Sequence, residues 1–83
     1  MATVEERIKQ VVSSVLNVPE DEVKSEHSFS VDLGAESIQS VELVAAFEEE
    51  FDIDMDEDEA LQVQTVGAAV DFISKVMKEQ GKL

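Results

Sequence analysis

Ser37-Ile38-Gln39-Ser40-Val41-Glu42-Leu43-Val44-Ala45-Ala46-Phe47-Glu48-Glu49-Glu50-Phe51 reads as one helix that carries two apolar arcs. At 100° per residue, Leu43, Val44, Phe47 and Phe51 share an arc that must face a core. Ile38, Val41 and Ala45 fall on a second arc, roughly 100–120° away and bordered by Glu42 and Glu49. In a thin bundle one helix face is buried. The second arc is therefore either a docking surface for a basic partner with an apolar dimple, or a face covered by a neighbouring loop. Ser37 is a good N-cap residue, and Gly34 supplies the backbone freedom for the turn before it.

The same periodicity extends in both directions. Upstream, Val4, Ile8, Val11, Val12 and Val15 lie on one face, and Thr3 with Glu6 forms a capping box. A first helix is predicted over about 3–16, stopped by Asn17 and Pro19. Residues 17–36 show no period. They are predicted to form an ordered crossing loop pinned by Val18, Val23, Phe29, Val31 and Leu33, with a short turn near 19–22. Downstream, Asp56 can cap a short third helix through Leu61. Thr65 can cap a fourth, striped by Val66, Val70, Ile73 and Met77 and ending near Gln80 and Gly81. The expected fold is all-α: a four-helix bundle with a long first loop and a short third helix, one domain over 1–83.

Composition narrows the function. A chain of 83 residues buries only about 60% of its unfolded surface, a poor setting for a deep enzymatic cavity. No apolar run approaches the roughly 20 residues of a membrane span, and the start lacks the pattern of a signal peptide. Membrane insertion is not expected, and a cytoplasmic monomer is. Zero cysteines exclude disulfides, a thiolate nucleophile and the common zinc sites. Twenty acids against six bases give a net charge of −14, with no Lys or Arg between Lys24 and Lys75. Such a field repels nucleic acid and draws basic partners, or serves only as a solubilising coat. Self-repulsion predicts a fold that gains stability in salt and on mild acidification.

At a helix start, free amides and a partial positive charge favour a negative group attached to Ser37. From the residues alone, a plain N-cap serine is the simpler account. Asp32-Leu33-Gly34-Ala35-Glu36-Ser37-Ile38, then Val41-Glu42-Leu43-Val44 and Phe47-Glu48-Glu49-Glu50-Phe51-Asp52-Ile53, closely resembles the acyl carrier protein family. The similarity continues through Asp56-Glu57-Asp58-Glu59-Ala60 and Thr65-Val66-Gly67.

This resemblance implies a non-catalytic carrier with 4'-phosphopantetheine, taken from coenzyme A by a phosphopantetheinyl transferase, on Ser37. It implies that Glu36, Ile38, Val41, Glu42 and Glu49, with Ala45 beside them, dock partner enzymes. Those partners would be acyltransferases, ketosynthases or ligases of fatty acid or related lipid and polyketide synthesis. The acyl chain would lie among Leu43, Val44, Phe47 and Ile73. The chain departs from the family pattern at Glu36 and Ile38 (usually Asp and Leu), at Gln39 (often an acid), at Ala45 (often Met) and at Asp56 (often Pro). Gln39 and Ala45 shrink the docking face, which suggests a specialised carrier.

Rival readings are an acidic interaction module or a divalent-cation module, each without a prosthetic group. Asp52, Asp54 and Asp56 open like an EF-hand loop, but position six is Glu57 rather than Gly and position twelve is Val63 rather than Glu. Only weak, shared divalent binding fits that pattern. Ser37, His27 and Asp32 supply the residue types of a hydrolytic triad without its G-x-S-x-G turn, so His27 is read as an exposed loop residue.

Overall fold

The computed structural model describes residues 2–82. Helix α1 spans Val4–Leu16 and starts at the expected capping box: the Glu6 amide donates to Thr3 Oγ1 at 3.1 Å, and the Thr3 amide to Glu6 Oε1 at 3.2 Å. It ends at Asn17, which takes the left-handed conformation (φ 56°). Helix α2 spans Ser37–Phe51 and ends at left-handed Asp52. Helix α3, Glu57–Leu61, is capped by the Asp56 carboxylate, and α4, Val66–Glu79, by the Thr65 hydroxyl. The described residues form the expected all-α bundle, with the long loop between α1 and α2 and a five-residue α3. None of these helices is long and apolar enough to cross a membrane.

The apolar stripes meet as their spacing requires. Ile8, Val12 and Leu16 of α1 pack with Leu43, Phe47 and Phe51 of α2 and with Val66, Ile73 and Met77 of α4. The crossing loop carries one 3-10 turn, Glu20–Glu22, and buries Val23 and Phe29, with Val18 and Leu33 half-buried. Val31 does not pin the loop as expected: it is 83% exposed. It sits at the apex of a tight turn whose amide bonds the Ser28 hydroxyl, and that turn directs Val31 outward. His27 is half-buried rather than exposed, with Nδ1 2.8 Å from the Glu22 carbonyl oxygen.

The loop is stitched to the start of α4 by backbone bonds, Phe29 N to Gln64 O at 2.9 Å, Val66 N to His27 O at 3.1 Å and Gly67 N to Ser25 O at 2.9 Å. The approach is close enough that a Cβ at Gly67 would lie 3.1 Å from the Ser25 carbonyl oxygen.

Two cations from the ends of the chain reach its base-free middle. Arg7 donates to the Glu50 carboxylate at 2.9 Å and to the Glu50 carbonyl at 2.7 Å, with its guanidinium 4.4 Å over the Phe51 ring. Lys82 pairs with Asp52 at 2.9 Å. The hydrogen bond from Ser25 and the charge of Lys9 hold the Glu5 carboxyl below its usual range, and Lys82 does the same for Asp52. A carboxylate whose pKa falls on folding contributes stability above its unfolded value, about 4, and loses it as pH drops through the lower folded value. These shifts oppose the expected gain on acidification, because contacts with Ser25, Lys9 and Lys82 outweigh crowding at these two sites. The stability deficit of Lys82→Ala against the parent is therefore expected to be full above about pH 5 and to vanish at the acid end of denaturation curves. A deficit that is the same at every pH would assign the effect to the aliphatic stem of Lys82.

Candidate functional site at the start of helix α2

Ser37 is the first residue inside α2, not its cap. The extended residue at the boundary is Glu36 (φ −87°, ψ 167°), whose amide donates to the Gln39 side-chain oxygen at 2.9 Å. The expected N-cap role of Ser37 is thus corrected, for a physical reason. Gln39 reaches back to satisfy the boundary amide, so helical geometry begins one residue earlier than a serine cap would set it. Ser37 is exposed, and its hydroxyl takes part in no hydrogen bond among the described residues. The first amides of α2 have no intrahelical acceptor, so a phosphodiester on this oxygen would sit at the positive end of the helix. The site fits the attachment of such a group.

The preceding loop fixes where that end lies. Asp32 Oδ2 accepts from the Ser28 amide at 2.7 Å, while the Ser28 carbonyl accepts from the amides of Asp32 and Leu33 at 3.0 and 3.1 Å. Gly34 follows at φ +73°, a conformation that favours glycine. The Ala35 amide then bonds the Phe29 carbonyl at 2.7 Å, which seats buried Ala35 beside the core. The loop-closing work of Asp32 was missed in the sequence. The available signal was an Asx residue two positions ahead of a glycine.

Of the two alternatives for the second arc of α2, the structure leaves it uncovered. Ile38 is 70% exposed, and Val41, Glu42, Ala45 and Glu49 are exposed, as is Glu36. On the other side of α2 lies a cavity of about 260 Å³ between α2, α3, α4 and the loop. Leu43, Val44, Phe47 and Ile73 all line it, joined by Met55 and Phe72, which no spacing argument singled out.

The other candidate groupings do not assemble. Asp52 is paired with Lys82, the backbone of Asp54 exchanges two bonds with the Gln80 side chain, and Asp56 caps α3. No group of three potential ligands that could hold a metal occurs among the described residues, so these three aspartates form no preassembled metal site. His27 faces Glu22 and Asp32 faces Ser28, so neither engages Ser37.

An exposed serine with an unengaged hydroxyl at a helix start, one turn before Ser40 in the lining of that cavity, has the form of a tethering site. A model of the family described as the phosphopantetheine attachment site matches residues 6–73, and the chain belongs to that family, which includes the acyl carrier proteins. It is a phosphopantetheine-carrying carrier protein, and its prosthetic group is 4'-phosphopantetheine. Carrier domains of this kind are in general non-catalytic, and they interact with a phosphopantetheinyl transferase and with biosynthetic enzymes.

Proposed function

We propose that Ser37 is the attachment residue and that the chain, as one carrier domain over 1–83, holds acyl intermediates for fatty acid or related lipid and polyketide synthesis. The observation that carries this reading is the unengaged hydroxyl of Ser37 on the first turn of α2. The bound arm supplies a terminal thiol, and the acyl group is held on it as a thioester. In this reading Leu43, Val44, Phe47 and Ile73 shelter the acyl chain, and the carrier acts as a cytoplasmic monomer. Acyltransferases, ketosynthases or ligases would dock on Glu36, Ile38, Val41, Glu42, Ala45 and Glu49. Incubation with coenzyme A and a broad-specificity transferase should add one arm per molecule, read by intact mass. Failure with several such transferases would overturn the assignment.

The docking face has its own test. Glu42 and Glu49 are exposed and hold no hydrogen bond among the described residues, so Glu42→Lys with Glu49→Lys should leave the helix content unchanged. The double reversal should slow transfer to a partner enzyme by about tenfold or more at low salt, with the gap closing as salt screens the steering field. Transfer rates that ignore both reversals would place recognition elsewhere.

A further inference from the structure

A second depression lies between α1 and α2, an open groove of about 470 Å³. Ala46, in its wall, is about 160° around α2 from Val44, in the wall of the cavity, so the two spaces flank the helix on different sides. The α1 side uses a part of the apolar stripe that the core leaves over. Ile8, Val12 and Leu16 are buried, whereas Val11 and Val15, one turn apart, are only half-buried and line the groove. Ala46 lines it from α2 and is half-buried too, and its single methyl group leaves the groove its depth. The two banks differ in charge. Exposed Gln10 and Ser14 make the α1 bank neutral, with Lys9 of the same helix paired to Glu5. The α2 bank is acidic. Glu50 there is held by Arg7, while exposed Glu49 holds no hydrogen bond or ion pair among the described residues.

Length and charge together select the occupant. Residues 10–15 and 46–50 each cover a little over one helical turn, about 6–8 Å. That reach takes two large apolar side chains one turn apart, the spacing on the face of a helix. A second copy of this chain, at net charge −14, meets repulsion at the acidic bank, as does nucleic acid or anionic lipid. A helix with an apolar stripe and Lys or Arg along one flank matches the floor and the bank at once. Ala46 and Glu50 lie roughly 13 and 20 Å along the axis from Ser37, so an occupant grips the chain away from the serine.

We infer that the groove between α1 and α2 binds a basic amphipathic helix of a partner protein, which holds the carrier while Ser37 stays accessible. This surface is separate from the arc of Ile38, Val41 and Ala45 and shares only Glu49 with it. The holding role rests on the reading of Ser37 as the attachment residue; the preference for a basic helix does not. The probe is a helical peptide of about 14 residues with leucines at i, i+3, i+4 and i+7 and lysines along one flank, beside a twin with glutamates for lysines. Amide chemical shifts map where it binds. The lysine peptide should move Val11, Ser14, Val15 and Ala46 most, and bind at least about tenfold more tightly than its twin. Gln10→Lys with Ser14→Lys, both at exposed positions, should weaken binding by about tenfold. Asp71→Lys, an equal change in net charge at an exposed position of α4, should weaken it by no more than about twofold. Ala46→Leu should abolish binding by filling the groove. With peptide saturating, transfer of the arm from coenzyme A to Ser37 should run within about twofold of its rate without peptide. Shifts centred on Ile38 and Val41, equal losses from the two charge changes, or binding that ignores Ala46→Leu would overturn the inference. A dimer of the unbound protein that Ala46→Leu dissolves would give the groove to a second copy and overturn it too. Loading that stops only when peptide is bound would overturn the holding role. Loading that fails without peptide would instead remove the carrier reading, and the shift map would still decide the groove.

Discussion

Ser37→Ala is expected to accept no 4'-phosphopantetheine while folding as the parent does. The effect is all-or-none because the arm needs an oxygen to attach to. Ser40, the next hydroxyl on α2, is half-buried and turned toward the Glu36 carbonyl. The fold should not register the change. Ser37 is exposed, lies inside the helix rather than at its cap, and holds no neighbour through its hydroxyl. Alanine is a good helix former, so the change in stability should stay within about 0.5 kcal/mol. Had Ser37 been the cap, the same substitution would cost about 1 kcal/mol, so a denaturation curve separates the two descriptions of the helix start. Intact mass after treatment with coenzyme A and a transferase measures the loading. An alanine variant that still gains an arm would move the attachment site to another hydroxyl.

Phe47→Ala should be the most damaging single substitution on α2, at about 3–5 kcal/mol. Phe47 is 5% exposed, in contact with the core on one side and with the cavity on the other. Removing the ring joins new empty space to space already present, and the wall has little left with which to fill it. Domains of this size are stable by only several kcal/mol, so urea unfolding should begin at much lower denaturant, with most of the fold lost at physiological temperature. Val41→Ala, on the exposed arc of the same helix, should stay within about 0.5 kcal/mol. Similar costs at the two positions would mean that the two arcs are not distinct in their packing.

Those arcs were legible in the sequence because helix geometry alone decides which residues share a face. The caps at Thr3, Asp56 and Thr65 were legible for a related reason, since each depends on residues no more than three positions apart. Features set by distant contacts or by one competing side chain were not. The cap of α2 is Glu36 rather than Ser37 because Gln39 bonds back to the boundary amide, a choice that residue preference at the cap cannot resolve. Val31 looked like a pin because it is apolar, but the Ser28–Asp32 turn directs it outward. What the aspartates at 52 and 56 do instead was not legible: the Asp52 carboxylate pairs with Lys82 from the far end of the chain, and the Asp56 carboxylate accepts from the Glu59 amide. The cavity itself arises from four elements meeting, and no single segment encodes it.

The pairings Arg7–Glu50 and Lys82–Asp52 place the first turns of α1, the last turn of α2 and the end of α4 at one pole of the molecule. Lys9 belongs to that start of α1, and Lys75 and Lys78 to the last turns of α4, so five of the six bases gather there. Ser37 stands at the opposite end of α2 from these pairs, with Glu36 and Glu42. Charge so divided makes the protein a dipole as well as an anion. A positively charged surface at a distance exerts a torque as well as a pull, and the torque turns the serine end foremost before any side chain touches. On the docking face proposed above, orientation and capture would then be parts of one encounter.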